Sequence, residues 1–227
     1  MIFDFELNGV HAQVSCPDTP MSPSIVQEVL TGKTYPVFTF FRNVRTVVDI
    51  GAHVGAFAIR ASLTFPEAII HSYEPNPDLW EHRQHNSRPN IHLHQKAVSD
   101  ANGTVLLSIY EDDSVFSSMS TTLKRRIAKR IRVPTIDAAR LPENIDILKI
   151  DTEGHELPIL RRLGDRLFDI PYIYLEFHSK RDRLELDEML LPTHDLHWGN
   201  IIHSGCGELF YLKHGAGPED CSVMVGV

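Results

Sequence analysis

Residues 47–57 read VVDIGAHVGAF, and this stretch decides the fold. An apolar strand ends at Asp49, the chain turns through Gly51 and Gly55, and a helix follows. Glycines at such a turn let a ligand approach the backbone closely, while the helix N-terminus offers free N–H groups. The spacing is GxxxG and differs from the GxGxxG of a dinucleotide pyrophosphate site. The stretch therefore favours a ligand site at a strand–helix junction, with a simple tight turn as the alternative.

Short apolar runs alternate with stretches of helical spacing along most of the chain. Strands that are apolar throughout and separated by helices are typical of a parallel sheet buried on both faces. We therefore expect an α/β fold with a mostly parallel central sheet and helices on both faces. The predicted strands are residues 46–50, 68–73, 91–98, 145–150, 172–177, 207–212 and 222–227.

The N-terminal segment has a different pattern. Apolar and polar residues alternate on both sides of Asn8 and Gly9, and Asn-Gly is the strongest short signal of a β-hairpin. Ser22 as the N-cap and Pro23 in the first turn predict a helix that ends at Gly32. We therefore expect a hairpin and a helix ahead of the main sheet.

Composition limits the class of protein. The 227 residues are 42% hydrophobic and 23% charged, which is ordinary for a globular protein, and the formal net charge of −8 argues against nucleic-acid partners. The 3 cysteines form no CxxC pair and no apolar run is long enough to span a membrane, so we expect a cytoplasmic protein with reduced thiols. We predict one domain over residues 1–227, with the hairpin and helix in 1–40 and a cofactor-binding α/β core in 41–227.

Acidic residues follow two of the predicted strands. Glu74 comes at the tip of one strand, where an acid can accept hydrogen bonds from both hydroxyls of a ribose. Asp151 and Glu153 come at the tip of another. Because ligands bind beyond the carboxyl ends of the strands in open α/β sheets, we expect these acids to gather with Asp49 around one crevice. An exposed strand-end carboxylate is the alternative for Glu74.

Five segments, in this order, resemble the FkbM-type family of S-adenosylmethionine-dependent methyltransferases. They are DIGAHVGAF, YEPNP, KAVSDANG, VPTIDA and ILKIDTEGHELPIL, and the resemblance covers roughly residues 25–180. It implies a class I methyltransferase fold, which is Rossmann-like, and S-adenosylmethionine as the cofactor. It also implies methyl transfer to a hydroxyl oxygen of a small metabolite or sugar.

The resemblance further implies which residues hold the cofactor. The glycine loop would lie by its methionine part, Glu74 would hold the ribose, and the segment after the third strand would border the adenine. There are two departures from the family: His53 stands where Asn is usual, and Pro36 follows Tyr35 where an acid is common. The second argues against a catalytic role for that N-terminal segment. The predicted cofactor-binding residues are Asp49, Gly51, His53, Gly55, Glu74, Asn76, Ala97, Val98 and Ser99.

Methyl transfer to an alcohol places demands on the protein. The sulfonium methyl group is already activated, so the protein mainly aligns an acceptor oxygen, helped by a base or a metal ion. His178 is our first choice as general base because the unperturbed pKa of histidine is close to neutrality. Asp151 and Glu153 are alternatives, as bases or as oxygen ligands of Mg²⁺, unless they only cap the following helix. The predicted catalytic residues are His178, Asp151, Glu153 and Lys149.

A basic run interrupts this acidic chain. It is either a solvated helix face or a clamp for a phosphate or carboxylate of the substrate. We therefore expect a small hydroxyl-bearing substrate, which is anionic if the clamp exists. The run consists of Lys124, Arg125, Arg126, Lys129, Arg130 and Arg132.

Two other functions are compatible with this type of sheet. A nicotinamide-dependent oxidoreductase would use it, but its GxGxxG motif is absent. A non-catalytic S-adenosylmethionine-binding module would keep the fold without the chemistry. The intact set of Gly51, Gly55, Glu74 and Asp151 argues against such a module.

Overall fold

A seven-stranded sheet forms the centre of the computed structural model, which describes residues 1–110 and 127–217 and the backbone of residues 117–118. Five strands run parallel, and an antiparallel hairpin completes one edge. Helices cover both faces, so the central parallel strands are buried along most of their length. In sheet order the strands are β12 (His194–His203), β13 (Cys206–Lys213), β11 (Tyr172–Phe177), β10 (Ile147–Ile150), β3 (Thr46–Ile50), β4 (Ile69–Tyr73) and β5 (Ile91–His94).

The helices enclose two apolar cores, one on each face of the sheet. The first two helices and the N-terminal hairpin pack on one face, while the last two helices pack on the other. This arrangement confirms the predicted α/β class, including the hairpin β1 (Ile2–Leu7) and β2 (Val10–Ser15). The helices are α1 (Ser22–Thr31), α2 (Ala56–Thr64), α3 (Trp80–His85), α4 (Glu156–Leu163) and α5 (Lys180–Leu190), with 3₁₀ turns at Pro77–Leu79, Ala138–Arg140 and Gly164–Asp169.

A second, four-stranded sheet corrects two expectations. The predicted strand 91–98 is wrong, because the chain leaves the central sheet after His94 and enters the second sheet at Ala97. The helix expected for the basic run is also wrong: its described members Lys129, Arg130 and Arg132 are exposed residues of a strand. The second sheet consists, in order, of β6 (Ala97–Ser99), β9 (Ile127–Asp137), β7 (Gly103–Tyr110) and β8 (Ser117–Ser118).

Helix boundaries differ from the sequence prediction at two N-termini. Met21, not Ser22, is the N-cap of α1, and the Ser22 hydroxyl instead accepts a hydrogen bond from Thr19. The helix ends at Gly32 as expected, since glycine adopts the left-handed φ of 77° there. The helix after Asp151 begins at Glu156, three residues later than Glu153.

Several predicted features lie outside the described residues. Among them are the strand 222–227, the basic residues Lys124, Arg125 and Arg126, and Cys221. In the part of the chain that is described, no helix is both long and apolar enough to cross a bilayer. The two described cysteines, Cys16 and Cys206, form no disulfide with each other.

The order of the strands creates a crevice between β3 and β10. From β3 the chain continues to β4 and β5 on one side, whereas β10 and β11 lie on the other. Loops that leave such neighbouring strands in opposite directions open a crevice at their carboxyl ends. Asp49 lies opposite Lys149 in the register, so the glycine loop and the loop that carries Asp151 meet there.

Candidate active site

A pocket of about 440 Å³ opens at the carboxyl ends of the parallel strands, a size typical of small-molecule sites. The loops after β3, β4 and β10 form its floor. The segment after β5 and part of the second sheet form one wall. Residues from α1, β11 and the β12–β13 hairpin form the opposite wall. The pocket therefore spans the crevice between β3 and β10.

Glu74 is placed at the wall beyond β4. One carboxylate oxygen accepts the backbone N–H of His53 at 2.9 Å and the other accepts that of Asn76 at 2.9 Å. Burial raises the pKa of Glu74, because an ionised carboxylate is poorly solvated there, although these two N–H groups oppose the effect. A carboxylate fixed in this way still has lone pairs for a ligand diol.

Five of the nine predicted cofactor residues line the pocket. Ala97 and Val98 form an apolar wall on the same side as Glu74, and Gly51 and His53 lie at the floor. Together with Pro75, Tyr73 and Leu107 they offer the apolar surroundings and single acceptor that an adenosine requires, so the residues present fit S-adenosylmethionine. The predicted cofactor residues that line the pocket are Gly51, His53, Glu74, Ala97 and Val98.

The other four predicted cofactor residues do not line the pocket and have structural roles or contacts with protein groups. Asp49 is fully buried beneath the floor, with Lys149 Nζ 3.2 Å from its carboxylate. Asn76 accepts the Asp78 N–H and caps the following 3₁₀ turn. Gly55 is the N-cap of α2, and the Ser99 hydroxyl lies 3.1 Å from His155 Nε2.

Gly51 is required by the meeting of two loops. A Cβ added at Gly51 would lie 1.6 Å from the carbonyl oxygen of Asp151, and the φ of Gly51 is +72°. At Gly55, where φ is +89°, an added Cβ would meet no atom within 4 Å. The close approach predicted for Gly51 therefore brings the Asp151 backbone against the glycine loop.

Three non-glycine residues of the pocket have a left-handed backbone. The φ angles are 55° at Tyr35, 51° at His53 and 57° at Glu153. Such angles cost about 1–2 kcal/mol per residue for side chains other than glycine and asparagine. Asparagine tolerates this region well, which gives a physical reason why it would suit position 53. Strain of this kind concentrates at binding sites, where the surrounding structure enforces it.

Lys149 joins the two loops electrostatically. Its Nζ lies 3.2 Å from Asp49 and 3.6 Å from Asp151, and it donates to the Gly51 carbonyl at 2.6 Å. Burial alone would lower the pKa of Lys149, but attraction to the two carboxylates outweighs burial and raises it. The raised pKa of Lys149 favours its cationic form, and Lys149 does not line the pocket.

Tyr35 lines the pocket, although the sequence analysis assigned its segment no catalytic role. Its hydroxyl donates to Asp151 Oδ2 at 2.9 Å, and its ring lies in the pocket wall. Arg60 holds this segment by donating to the Tyr35 carbonyl at 2.7 Å. The two hydrogen-bonded side chains are 116 residues apart in the sequence, so their contact is visible only in the folded chain.

Glu176 is the residue that the predicted site lacked. It lines the pocket at the end of β11, and Cys206 Sγ lies 3.7 Å from its Oε1. Burial raises the pKa of Glu176 well above its usual range, and repulsion from Asp151 raises it further. Burial opposes ionisation of Asp151 too, but Lys149 and a hydrogen bond with Glu176 outweigh it and hold the pKa of Asp151 at about 2. The strand-tip position of Glu176 was the signal in the sequence.

His178 carries a positive charge in this setting. Its ring nitrogens lie 3.9 Å from Glu153, 3.6 Å from Glu156 and 3.7 Å from Glu176. Burial alone would lower the pKa of His178, but hydrogen bonds to Cys206 and Glu156 and the nearby acids raise it to about 11. The premise for His178 as general base, a pKa near neutrality, therefore does not hold, because an imidazolium has no lone pair to accept a proton.

The charge on His178 predicts how stability depends on pH. Since its folded pKa of about 11 is above the unfolded value of 6.5, its contribution is complete below pH 6.5 and is lost as pH rises towards 11. We expect the free energy of unfolding in urea to fall across this range. His178→Asn should flatten that fall, whereas substitution of the exposed His92 should not. An unchanged pH dependence in His178→Asn would refute the charged state.

Two groups of side chains have the spacing of metal ligands. Atoms of Asp151, Glu153 and Glu176 lie within 4.8 Å of one another, as do atoms of Glu176, His178 and Cys206. Mg²⁺, one alternative for Asp151 and Glu153, fits poorly here, because Lys149 and His178 already face these acids. Mg²⁺ would need near-octahedral oxygen ligands beside two protein cations.

The basic run does not form the predicted anion clamp among the described residues. Lys129 pairs with Asp78 at 2.7 Å on the protein surface, and neither Arg130 nor Arg132 lines the pocket. Lys96 is the one lysine or arginine in the described pocket wall. The described part of the run is thus a solvated face.

Comparison with known proteins identifies the family of the chain. A family model described as the methyltransferase FkbM domain matches residues 49–201. "Methyltransferase 1" of Beauveria bassiana is 24% identical over 172 residues, which are 64% of this chain and 69% of that protein. Hexuronic acid methyltransferase AglP of Haloferax volcanii is 26% identical over 156 residues, which are 63% of this chain but only 59% of that protein.

Similarity of fold extends further than similarity of sequence. The fibrillarin pre-rRNA processing protein of Methanococcus jannaschii superposes with a TM-score of 0.52 at 11% identity, covering 94% of this chain and 83% of that one. The shared architecture is the class I methyltransferase fold. With the family model spanning the glycine loop, Glu74 and the Asp151 loop, the chain belongs to the FkbM family of S-adenosylmethionine-dependent methyltransferases.

Proposed function

We propose that the protein transfers a methyl group from S-adenosylmethionine to a hydroxyl oxygen of a small metabolite or sugar. One observation carries the proposal: a single pocket joins the cofactor-type wall at Glu74 to a partly buried acid, Glu176, whose pKa is raised. The name of the Haloferax relative, a hexuronic acid methyltransferase, supports a sugar hydroxyl as the acceptor.

The cofactor is proposed to lie over β3 and β4. Glu74 would accept the ribose hydroxyls, and the apolar surfaces of Ala97 and Val98 would border the adenine. S-adenosylmethionine supplies a methyl group that its sulfonium already activates. The acceptor then lies on the other side of the crevice, against β10, β11 and β13.

Alignment and proton removal are the tasks left to the protein. Holding an acceptor oxygen in line with the methyl group contributes roughly 7–11 kcal/mol to lowering the barrier. Lys149 and His178 are cations, so neither takes the proton. Asp151 and Glu176 titrate as a pair, in which Glu176 has the raised pKa and is therefore the stronger base once it is ionised, at pH values above that pKa. We assign the general base to Glu176, with Asp151 and Tyr35 holding its geometry.

Titration calorimetry tests the cofactor, and a labelled-methyl assay tests the chemistry. We expect S-adenosylmethionine and its demethylated product to bind, and NAD and NADP to give no heat. We also expect label to transfer to hydroxyl-bearing acceptors, and EDTA to leave the rate unchanged. Binding without any transfer would favour the non-catalytic module, and binding of NAD alone would favour the oxidoreductase.

Glu74→Gln is expected to weaken binding of S-adenosylmethionine by about 10- to 150-fold, equivalent to about 1.5–3 kcal/mol for hydrogen bonds to a charged group. The glutamine keeps the shape of the side chain but loses one acceptor oxygen. Glu81→Gln, which removes the same charge from the exposed surface of α3, should bind normally. Equal affinities in two folded variants would refute the ribose assignment.

A further inference from the structure

Arg83 is a buried arginine next to the strand end that carries Glu74. It belongs to α3, is 1% exposed, and its guanidinium lies 5.7 Å from the centroid of the Trp80 ring. A charge buried to this extent is costly unless hydrogen bonds and opposite charges compensate for it. Arg83 does not line the pocket, so any effect that it has on a bound cofactor acts through another residue.

The hydrogen bonds of Arg83 join α3 to the ends of two neighbouring strands. Nη2 donates to the carbonyl oxygen of Ser72 at 2.7 Å and to its hydroxyl oxygen at 2.9 Å. Nη1 donates to the carbonyl oxygens of His94 at 3.3 Å and of Glu74 at 3.4 Å. Since β4 ends at Tyr73 and β5 at His94, one guanidinium fastens the carboxyl ends of both strands. The planar fork of arginine provides the several fixed donors that this arrangement needs, which lysine does not.

Glu74 depends on the position of this strand end. Its backbone N–H donates to the His94 carbonyl at 3.0 Å, and its own carbonyl accepts from Arg83. Its carboxylate accepts the backbone N–H groups of His53 and Asn76. Contacts on the backbone and on the side chain together hold the carboxylate at the pocket wall, so a displaced strand end would move the carboxylate as well.

Arg83 also acts on Glu74 through its charge. Burial raises the pKa of Glu74, and attraction to Arg83 opposes this rise, as does the more weakly acting Lys149 of β10. In return, attraction to Glu74 and to Asp49 of β3 favours the cationic form of Arg83, against the burial that lowers its pKa. The two charges therefore stabilise each other, and the ionised Glu74 has the larger number of lone pairs for a ligand diol.

We propose that Arg83 is a positioning residue for cofactor binding: it fixes the strand end that carries Glu74 and supplies a positive charge that stabilises the Glu74 carboxylate. The inference rests on the proposed function, which places the ribose at Glu74. Two further groups lie nearby. Lys96 lines the same pocket and is kept in every variant below, and the ring of His94 has a pKa of about 4, lowered above all by burial, so it titrates below the pH range of the test.

Titration calorimetry with the demethylated cofactor from pH 5 to pH 8 tests the inference without needing turnover. Wild-type affinity should decrease as pH drops through the raised pKa of Glu74, because the protonated carboxyl has fewer acceptor sites. Arg83→Met removes the charge, so it should move this decrease to higher pH by about one unit. Arg83→Lys keeps the charge and loses the fork, so it should weaken binding by about 2- to 10-fold at every pH and leave the midpoint of the decrease in place.

Two further variants separate this role from a purely structural one. Arg140→Met, which removes an exposed arginine, should match the wild type at every pH. In a Glu74→Gln background, Arg83→Met should cause no shift with pH, because the titrating group is gone. A merely structural Arg83 would weaken binding equally at every pH in both backgrounds.

Three results would overturn the inference. The first is an Arg83→Met variant, shown to be folded by circular dichroism, whose pH dependence coincides with that of the wild type. The second is a shift of the same size in the Glu74→Gln background. If Arg83→Met does not fold, Arg83→Lys decides, and wild-type affinity in that variant is the third. Failure of the proposed function looks different, since the wild-type chain would then bind no demethylated cofactor at any pH, and this inference would fall with it.

Discussion

Replacing Glu176 by glutamine is expected to lower kcat by roughly 10²–10⁴-fold, the usual contribution of a positioned general base. The amide keeps the shape of the side chain but does not take a proton. Affinity for S-adenosylmethionine should stay within about twofold, because Glu74 and not Glu176 holds the cofactor end. Steady-state kinetics with titration calorimetry measures both quantities.

The pH dependence separates loss of the base from loss of the fold. In the wild type, kcat should fall as pH drops through the raised pKa of Glu176, and this step should vanish in Glu176→Gln. Because ionised Glu176 is destabilised by burial and by Asp151, its contribution to stability declines as pH rises from the usual glutamate range. The variant should therefore be no less stable than the wild type at pH 8.

The control for Glu176→Gln is Glu188→Gln, an exposed position on the neighbouring helix α5. It removes the same formal charge and should leave kcat unchanged. A Glu176→Gln enzyme that retains most of its activity and its acidic pH step would refute the assignment of the base. Transfer would then depend on alignment alone.

Gly51→Ala is expected to abolish cofactor binding and to lower the free energy of unfolding by at least about 3 kcal/mol. The added Cβ would lie 1.6 Å from the Asp151 carbonyl oxygen. This oxygen belongs to the backbone, so a change of side-chain rotamer does not relieve the clash. The loops after β3 and β10 would have to separate, and Asp151 would move with them. Thermal unfolding and titration calorimetry measure the two effects.

Gly55→Ala is the matched control on the same loop. Its φ of +89° makes alanine strained by about 1–2 kcal/mol, but the added Cβ meets no atom within 4 Å. We expect a modest loss of stability and normal cofactor binding. If Gly55→Ala folds and fails to bind, Gly55 contacts the cofactor directly. If Gly51→Ala folds and binds the cofactor normally, the contact between Gly51 and the Asp151 backbone is not needed for cofactor binding.

The sequence predicted the elements of the central sheet whose signals are local. Apolar runs ending in polar residues located the strands 46–50 and 172–177, and Asn8-Gly9 located the hairpin. Residues at strand tips, such as Glu74 and Asp151, line the pocket because the carboxyl ends of parallel strands lie at the same edge of the sheet. The FkbM family could also be identified from the sequence, since its motifs are contiguous stretches of residues.

The sequence-based predictions were wrong where one local pattern is compatible with two different structures. Residues 91–98 are apolar enough for one strand, yet the chain divides them between two sheets after His94. A run of basic residues suits an exposed helix face or an exposed strand face equally well, and pairing with β7 selected the strand for residues 127–137. Periodicity does not report which partner an exposed segment finds.

The charges of the site were decided only by the tertiary structure. The sequence by itself determined that acids and a histidine lie at neighbouring strand tips. It did not determine that Glu153, Glu156 and Glu176 surround His178 and stabilise its protonated form, or that Asp151 raises the pKa of Glu176. These effects depend on distances of a few ångströms between residues far apart in the chain, and on the burial that removes water from between them.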